Sequence, residues 1–172
     1  MFHSNHTKRF LKTALITITW VPVLMAINDK ICYISQIHGN SMRPTLNPTD
    51  SSKDWVFLWK LNKESIDVDD IILLKSPMDP KKILCKRIKA KSYDKVQTIF
   101  PYPKDSAIIP RNHSWVEGDN VTHSIDSNTF GPISNGLILG KVTRVIWPPY
   151  RWGVNLQDNI GREGIIIKDD NH

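Results

Sequence analysis

Three stretches of the chain hold side chains suited to covalent chemistry. Gly39-Asn40-Ser41-Met42-Arg43-Pro44-Thr45-Leu46 offers a serine hydroxyl. Cys85-Lys86-Arg87-Ile88 offers an amine within a run of strand formers. Gly118-Asp119-Asn120, followed by Ser124-Ile125-Asp126-Ser127, offers hydroxyls and carboxylates around a turn. A serine hydroxyl is a weak nucleophile until a base takes its proton. A lysine serves as that base only when neutral near the working pH, well below its ordinary pKa of ~10.4, and burial among apolar groups drives it that way. Side chains alternate faces along a strand. Leu84, Lys86 and Ile88 therefore share one face, and Cys85, Arg87 and Lys89 the other. Lys86 lies between two aliphatic neighbours, as a desolvated base requires, whereas Lys89 and Lys91 lack that flanking and read as surface charges. Taken singly, each stretch also has an ordinary reading: a turn serine, a solvated strand lysine, a plain turn.

The elements that must position these groups are strands. Trp55-Val-Phe-Leu-Trp59, Asp70-Ile-Ile-Leu-Leu-Lys75, Ile83-Leu-Cys-Lys-Arg-Ile88, Ser114-Trp-Val-Glu117 and Leu137 to Ile146 are short apolar runs bounded by turn residues. That spacing predicts a mainly β, antiparallel domain. Residues 91–113, with Pro101, Pro103 and Pro110, read as an excursion between strands. The segment 154–172 reads as a polar C-terminal tail, apart from Ile165-Ile166-Ile167.

Upstream, residues 1–12 are basic (Lys8, Arg9, Lys12), and Thr13 to Asn28 carries no charge before Asp29. With flanking residues this run just reaches the ~17 residues needed to span a bilayer. It lacks a clean small-residue cleavage site after Leu24-Met25-Ala26, so residues 13–30 read as an uncleaved transmembrane anchor rather than a removed signal. The basic flank stays on the inner side and residues 31–153 form a β domain on the other. The 172 residues carry 23 Lys+Arg against 17 Asp+Glu, a net charge of +6. The excess is spread out and has no interleaved aromatic platform, which argues against nucleic acid as a partner. Cys32 and Cys85 are too few for a disulfide scaffold or a four-thiolate zinc site and read as unpaired thiols. The six His include no His-Glu-x-x-His, so no metal or other cofactor is expected.

Taken together and in this order, downstream of one anchor, the motifs resemble those of the type I signal peptidases, membrane-anchored serine–lysine proteases. Ser41-Met42-x-Pro44-Thr45 matches the nucleophile motif. Asp70-Ile71-Ile72 with Lys75 and Pro77 matches the strand before the base, and Lys86-Arg87-Ile88 matches the lysine motif. Gly118-Asp119-Asn120 through Ser124-x-Asp126-Ser127 matches the last motif. The resemblance covers roughly residues 36–146 and implies Ser41 as nucleophile and Lys86 as general base. It implies that Ser124 orients the base and that the Ser41 backbone N–H donates to the oxyanion. Many members add a hydroxyl two residues before the nucleophile; that position is Gly39, which has none, so a second donor must come from elsewhere. The family pairs the acid at Asp126 with an Arg two residues on, but Asn128 stands there, and Arg87 is the replacement partner this reading offers. The resemblance further implies an extended substrate with small residues before the cut, and a complex with a related catalytic subunit.

The expected activity is thus removal of sorting presequences by a serine endopeptidase. The rival is a non-enzymatic, membrane-tethered β domain that binds or stabilises a partner. A Ser–His–Asp arrangement through His123 is disfavoured, because adjacent residues on extended chain face opposite ways. Asn112-His-Ser and Asn120-Val-Thr are both glycosylation acceptor patterns, and a glycan on the second would sit inside a catalytic motif. This argues against the endoplasmic reticulum lumen, and the resemblance selects the mitochondrial intermembrane space, with the anchor in the inner membrane.

Overall fold

Strand β3 (Ile71–Lys75) explains the architecture, because four consecutive apolar residues must be covered on both faces. In the computed structural model, which describes residues 9, 12–23, 31–60, 65–158 and 161–167, they are. Ile71 and Leu73 join one core cluster with Ile37, Met42, Leu46, Val56, Leu58, Val142 and Val145. Ile72 and Leu74 join a second with Ile66, Ile88, Val116, Ile133 and Ile138. Each such burial is worth about 1.5–3 kcal/mol per side chain.

Around β3 runs a seven-stranded antiparallel sheet. Its other strands are β1 (Cys32–Gln36), β2 (Trp55–Trp59), β4 (Ile83–Ala90), β7 (His113–Glu117), β8 (Ile133–Ser134) and β9 (Ile138–Trp147). The order is β1-β2-β9-β3-β4-β7-β8. The chain's last long strand, β9, is inserted between β2 and β3, with Val56 opposite Val145 and Leu73 opposite Gly140. On β2 the alternation is plain: Val56 and Leu58 are fully buried while Trp55 and Trp59 face outward. The mainly β, antiparallel expectation agrees with this sheet.

Three features depart from the sequence reading or add to it. The stretch 91–113 is more than an excursion: it folds into a hairpin of β5 (Lys95–Gln97) and β6 (Ser106–Ile108). This hairpin covers a third cluster built on Trp115, Val96 and Ile109. The segment beyond Gly153 is bound to the domain. The Gln97 N–H donates to Ile165 O at 2.8 Å, the Ile167 N–H to Lys95 O at 2.8 Å, and Ile165 is buried. Lys89 is not a surface charge. A register shift between Ile88 and Ala90 displaces it, leaving it 5% exposed and paired with Asp69 at 2.8 Å.

Residues 12–23 are helical, with Leu15, Ile16, Ile18 and Trp20 exposed. Among the described residues no helix is long and apolar enough to cross a membrane. Residues 24–30 of the expected anchor lie outside the described residues. Cys32 and Cys85 are free thiols.

Candidate active site

The Ser41 loop leaves β1 through Gly39, whose φ of +85° places it where glycine is favoured. Met42 and Leu46 plug the first core cluster, and the Leu46 N–H donates to Met42 O at 2.8 Å, closing a turn. Asn47 fastens the loop: its Nδ2 donates to Ile37 O at 2.9 Å and Gly39 O at 3.1 Å. Asn47 and Asp54 exchange backbone-to-side-chain bonds at 2.9 and 2.7 Å, and Arg151 pairs with Asp54 at 3.0 Å. Ser41 thus sits half-buried on a rigid loop, and its hydroxyl makes no hydrogen bond among the described residues.

Lys86 comes from β4, which runs in regular register against β3 from Ile83 to Arg87 and places Ile72 directly across from Lys86. The shift falls beyond Ile88, so Leu84, Lys86 and Ile88 do share a face. Ile88 belongs to the second core cluster and Leu84, partly buried, packs against it. Lys86 is 2% exposed and its Nζ donates to Ser124 Oγ at 2.9 Å. Burial holds its amine below the ordinary lysine range, with the Asp126, Cys85 and Asp119 side chains opposing.

Gly118 joins the two halves. A side chain there would collide with Ser124 Oγ and with the Ser41 carbonyl, and would lie 2.7 Å from Ser124 Cβ. One glycine is therefore all that separates the Ser41 backbone from the hydroxyl that holds Lys86. The Asn120 N–H donates to Ser41 O at 3.0 Å and Asn120 Nδ2 to Asn40 O at 3.1 Å, fixing the loop from the same side. The Ser41 carbonyl and Ser124 thus both abut Gly118, and Ser124 holds Lys86. His123 is exposed, its Nδ1 2.8 Å from the neighbouring Thr122 hydroxyl.

The supporting charges are arranged differently from the expectation. Arg87 does not pair with Asp126. Its guanidinium forks onto Asp119 through bonds of 2.7 and 2.6 Å, and both side chains are buried. β4 alternation turns Arg87 away from the Lys86 face, toward Asp119 and the Leu156 carbonyl, which it reaches at 2.9 Å. The Thr45 hydroxyl also donates to Asp119, at 2.6 Å, tying the Ser41 loop to the same carboxylate. Asp126 accepts instead from the Gly118 N–H at 3.1 Å and from the Asn128 N–H at 3.0 Å, capping the one-turn helix Ser127–Phe130. Sequence reasoning quoted Asp119 without a role and gave none to Thr45, Glu117 or Arg162. Thr45 and Asp119 lay within recognised motifs. Arg162, in a polar tail, carries no local signal at all.

The signal peptidase family, peptidase S26, matches residues 89–147, which include Ser124 and Asp126 but neither Ser41 nor Lys86. The mitochondrial inner membrane protease subunit 2 of Saccharomyces cerevisiae is 52% identical over 170 residues, covering 96% of each chain. The human subunit 2 is 42% identical over 151 residues, 86% of this chain and 84% of that one. The human subunit 1 is 40% identical over 109 residues, 61% of this chain and 66% of that one. A solved signal peptidase I from Enterococcus faecalis V583 superposes with a TM-score of 0.39 at 18% identity, over 45% of this chain and 96% of that one. The chain belongs to the type I signal peptidase family, and its activity class is accordingly that of a signal-peptidase-type protease.

Proposed function

We propose that this chain is a serine endopeptidase anchored in the mitochondrial inner membrane, with Ser41 as nucleophile and Lys86 as general base. It removes sorting presequences from precursors delivered to the intermembrane space, working beside a related catalytic subunit. The observation that carries the reading is the buried Lys86 amine on Ser124 Oγ at 2.9 Å, with Gly118 alone between Ser124 and the Ser41 carbonyl. Neutral Lys86 takes the Ser41 proton as Oγ attacks the scissile carbonyl, and the resulting ammonium returns a proton to the leaving amine. Water then cleaves the acyl-enzyme with Lys86 again as base. Ser124 keeps the amine in place throughout. The Ser41 N–H is one donor to the oxyanion, whose charge is greatest in the tetrahedral intermediates. Gly39 contributes an unobstructed approach, since nothing stands within 4 Å of where its side chain would be. Asp126 and Arg87 hold the surrounding loops. No metal or other cofactor enters this scheme.

The compartment and the partner are read from the names of the relatives, which are subunits 1 and 2 of a mitochondrial inner membrane protease. In this reading residues 1–12 are the basic inner flank, 13–30 the anchor, 31–153 the catalytic domain and 154–172 the tail. The test compares precursor processing in cells that carry the native chain, Ser41→Ala, Lys86→Ala or His123→Ala. N-terminal sequencing of inner-membrane precursors should show uncut ends for the first two variants and native ends for the third. Normal processing by Ser41→Ala would identify the chain as a non-enzymatic stabilising subunit.

A further inference from the structure

We infer that Arg162, on the C-terminal segment, is a positioning residue for the Ser41–Lys86 centre, holding the two adjacent carboxylates behind it in a single arrangement. The inference rests on the catalytic reading above. Glu117 and Asp126 are both buried, at 3% and 4% exposure, and they share one amide. Asn128 Nδ2 donates to Glu117 Oε1 at 2.9 Å and to Asp126 Oδ1 at 3.2 Å. Two buried carboxylates around one amide repel each other unless a cation compensates. Arg162 supplies it, with Nε on Glu117 Oε2 at 3.0 Å and the other nitrogen on Oε1 at 2.6 Å. Among the described residues no other basic side chain hydrogen-bonds Glu117. Trp115 Nε1 completes its shell at 2.9 Å.

The arrangement reaches the reacting groups through contacts already described. Asp126 accepts the Gly118 N–H, and Gly118 is pressed between the Ser41 carbonyl and Ser124. A second contact reinforces the first. Gly161, at φ +68°, lies so close to the Gly118-Asp119 backbone that an added side chain would stand 3.1 Å from Asp119 Cα. The segment is itself anchored independently of Arg162, by its pairing with β5 and by the buried Ile165. It is a strap whose Arg162 guanidinium pairs with Glu117 of the carboxylate pair and also donates to Gln97 O on β5 at 2.9 Å. Without Arg162, Glu117 loses its ion pair and turns away. That change frees Asn128 and Asp126 to move, and Gly118 with them. The segment's sequence is polar and its partner lies far back in the chain, so only the fold shows the connection.

The test uses the full-length chain in solubilised membranes, acting on a precursor that accumulates uncut in Ser41→Ala cells. Arg162→Met should lower kcat roughly tenfold to a hundredfold, the cost of misplacing reacting groups by about an ångström, while KM stays within about twofold. Arg162→Lys should restore part of kcat. Glu117→Gln placed in the Arg162→Met background should also restore it, because the unopposed charge is gone. A native kcat in Arg162→Met overturns the inference. So does a loss that neither Lys at 162 nor the Glu117→Gln change relieves, since that pattern means the strap only holds the tail. If Arg162→Met fails to accumulate, Arg162→Lys decides: reduced kcat at native KM supports the role, and native kcat overturns it. Ser41→Ala and Lys86→Ala run in parallel, and activity in those two would refute the catalytic reading rather than this one.

Discussion

Gly118→Ala tests whether the candidate site depends on close approach at a single backbone position. The residue has no left-handed φ, so alanine meets no backbone strain there, only its neighbours. The new methyl would lie 2.7 Å from Ser124 Cβ, against about 3.5–4.0 Å for a comfortable carbon contact. Something must give by about 0.8 Å, and the Ser124 and Ser41 oxygens are nearer still. Both obstacles are held: Ser41 O takes the Asn120 N–H, and Ser124 Oγ takes Lys86 Nζ. Overpacking of this kind costs about 1–3 kcal/mol, which for a chain of this size lowers Tm by roughly 2–10 °C. The damage to activity should be larger than the damage to folding. Driving the Ser41 loop and Ser124 apart by nearly an ångström predicts a fall in kcat on the order of a hundredfold. Gly153→Ala is the control: it strains a positive φ but collides with nothing. Cleavage kinetics and thermal melts of the full-length variants give both numbers. A Gly118→Ala protein with native kcat would show that the two halves of the site are not coupled through this glycine.

Burial is the leading reason the Lys86 amine is lowered, so Leu84→Asn should hydrate it, raise its pKa and move the acidic limb of the kcat/KM profile to higher pH; an unmoved limb means Leu84 does not tune the base. Lys86→Met should abolish cleavage yet leave the protein at least as stable at neutral pH, because an amine whose folded pKa lies below its unfolded one opposes folding until the pH rises through that interval; a large drop in Tm would contradict this. Burial pushes the Cys85 thiol up to about 12, so iodoacetamide at pH 8 should spare it in the native protein and label it after unfolding. Protease added to mitochondria with ruptured outer membranes should digest residues beyond about 30 if the orientation drawn from the basic flank is right; digestion only after the inner membrane is opened would place the domain in the matrix.

What the sequence revealed depended on whether a residue's role was decided near its own position. The five runs read as strands became β2, β3, β4, β7 and β9, because bulky residues between turn formers leave few alternatives. The face of Lys86 was legible for the same reason, since period two holds from Ile83 to Ile88. Lys89, one residue further, was misread because a register shift between strands leaves no mark in the run itself. Strand β1 was missed because Cys32–Gln36 mixes polar and apolar residues and gains its place by pairing with β2. Arg87 was offered to Asp126, when strand alternation and a turn residue, Asp119, decided otherwise. The Ile165-Ile166-Ile167 run was noticed, but its partner, β5, is a strand of three residues that no local pattern announces.

The insertion of β9 between β2 and β3 has a kinetic consequence. Until β9 arrives, β2 and β3 have no strand between them, and the first core cluster lacks Val142 and Val145. The β1–β2 ribbon and the β3–β4–β7–β8 set are then separate pieces, and the two-stranded ribbon is barely stable alone. Closing the sheet joins residues from opposite ends of the domain, a topology of high contact order and slow folding. The Ser41 loop hangs on one piece and Lys86 on the other. Ser41 and Lys86 therefore stay apart until nearly the whole chain is available, so under the proposed function an incomplete chain has no assembled pair with which to cut its neighbours.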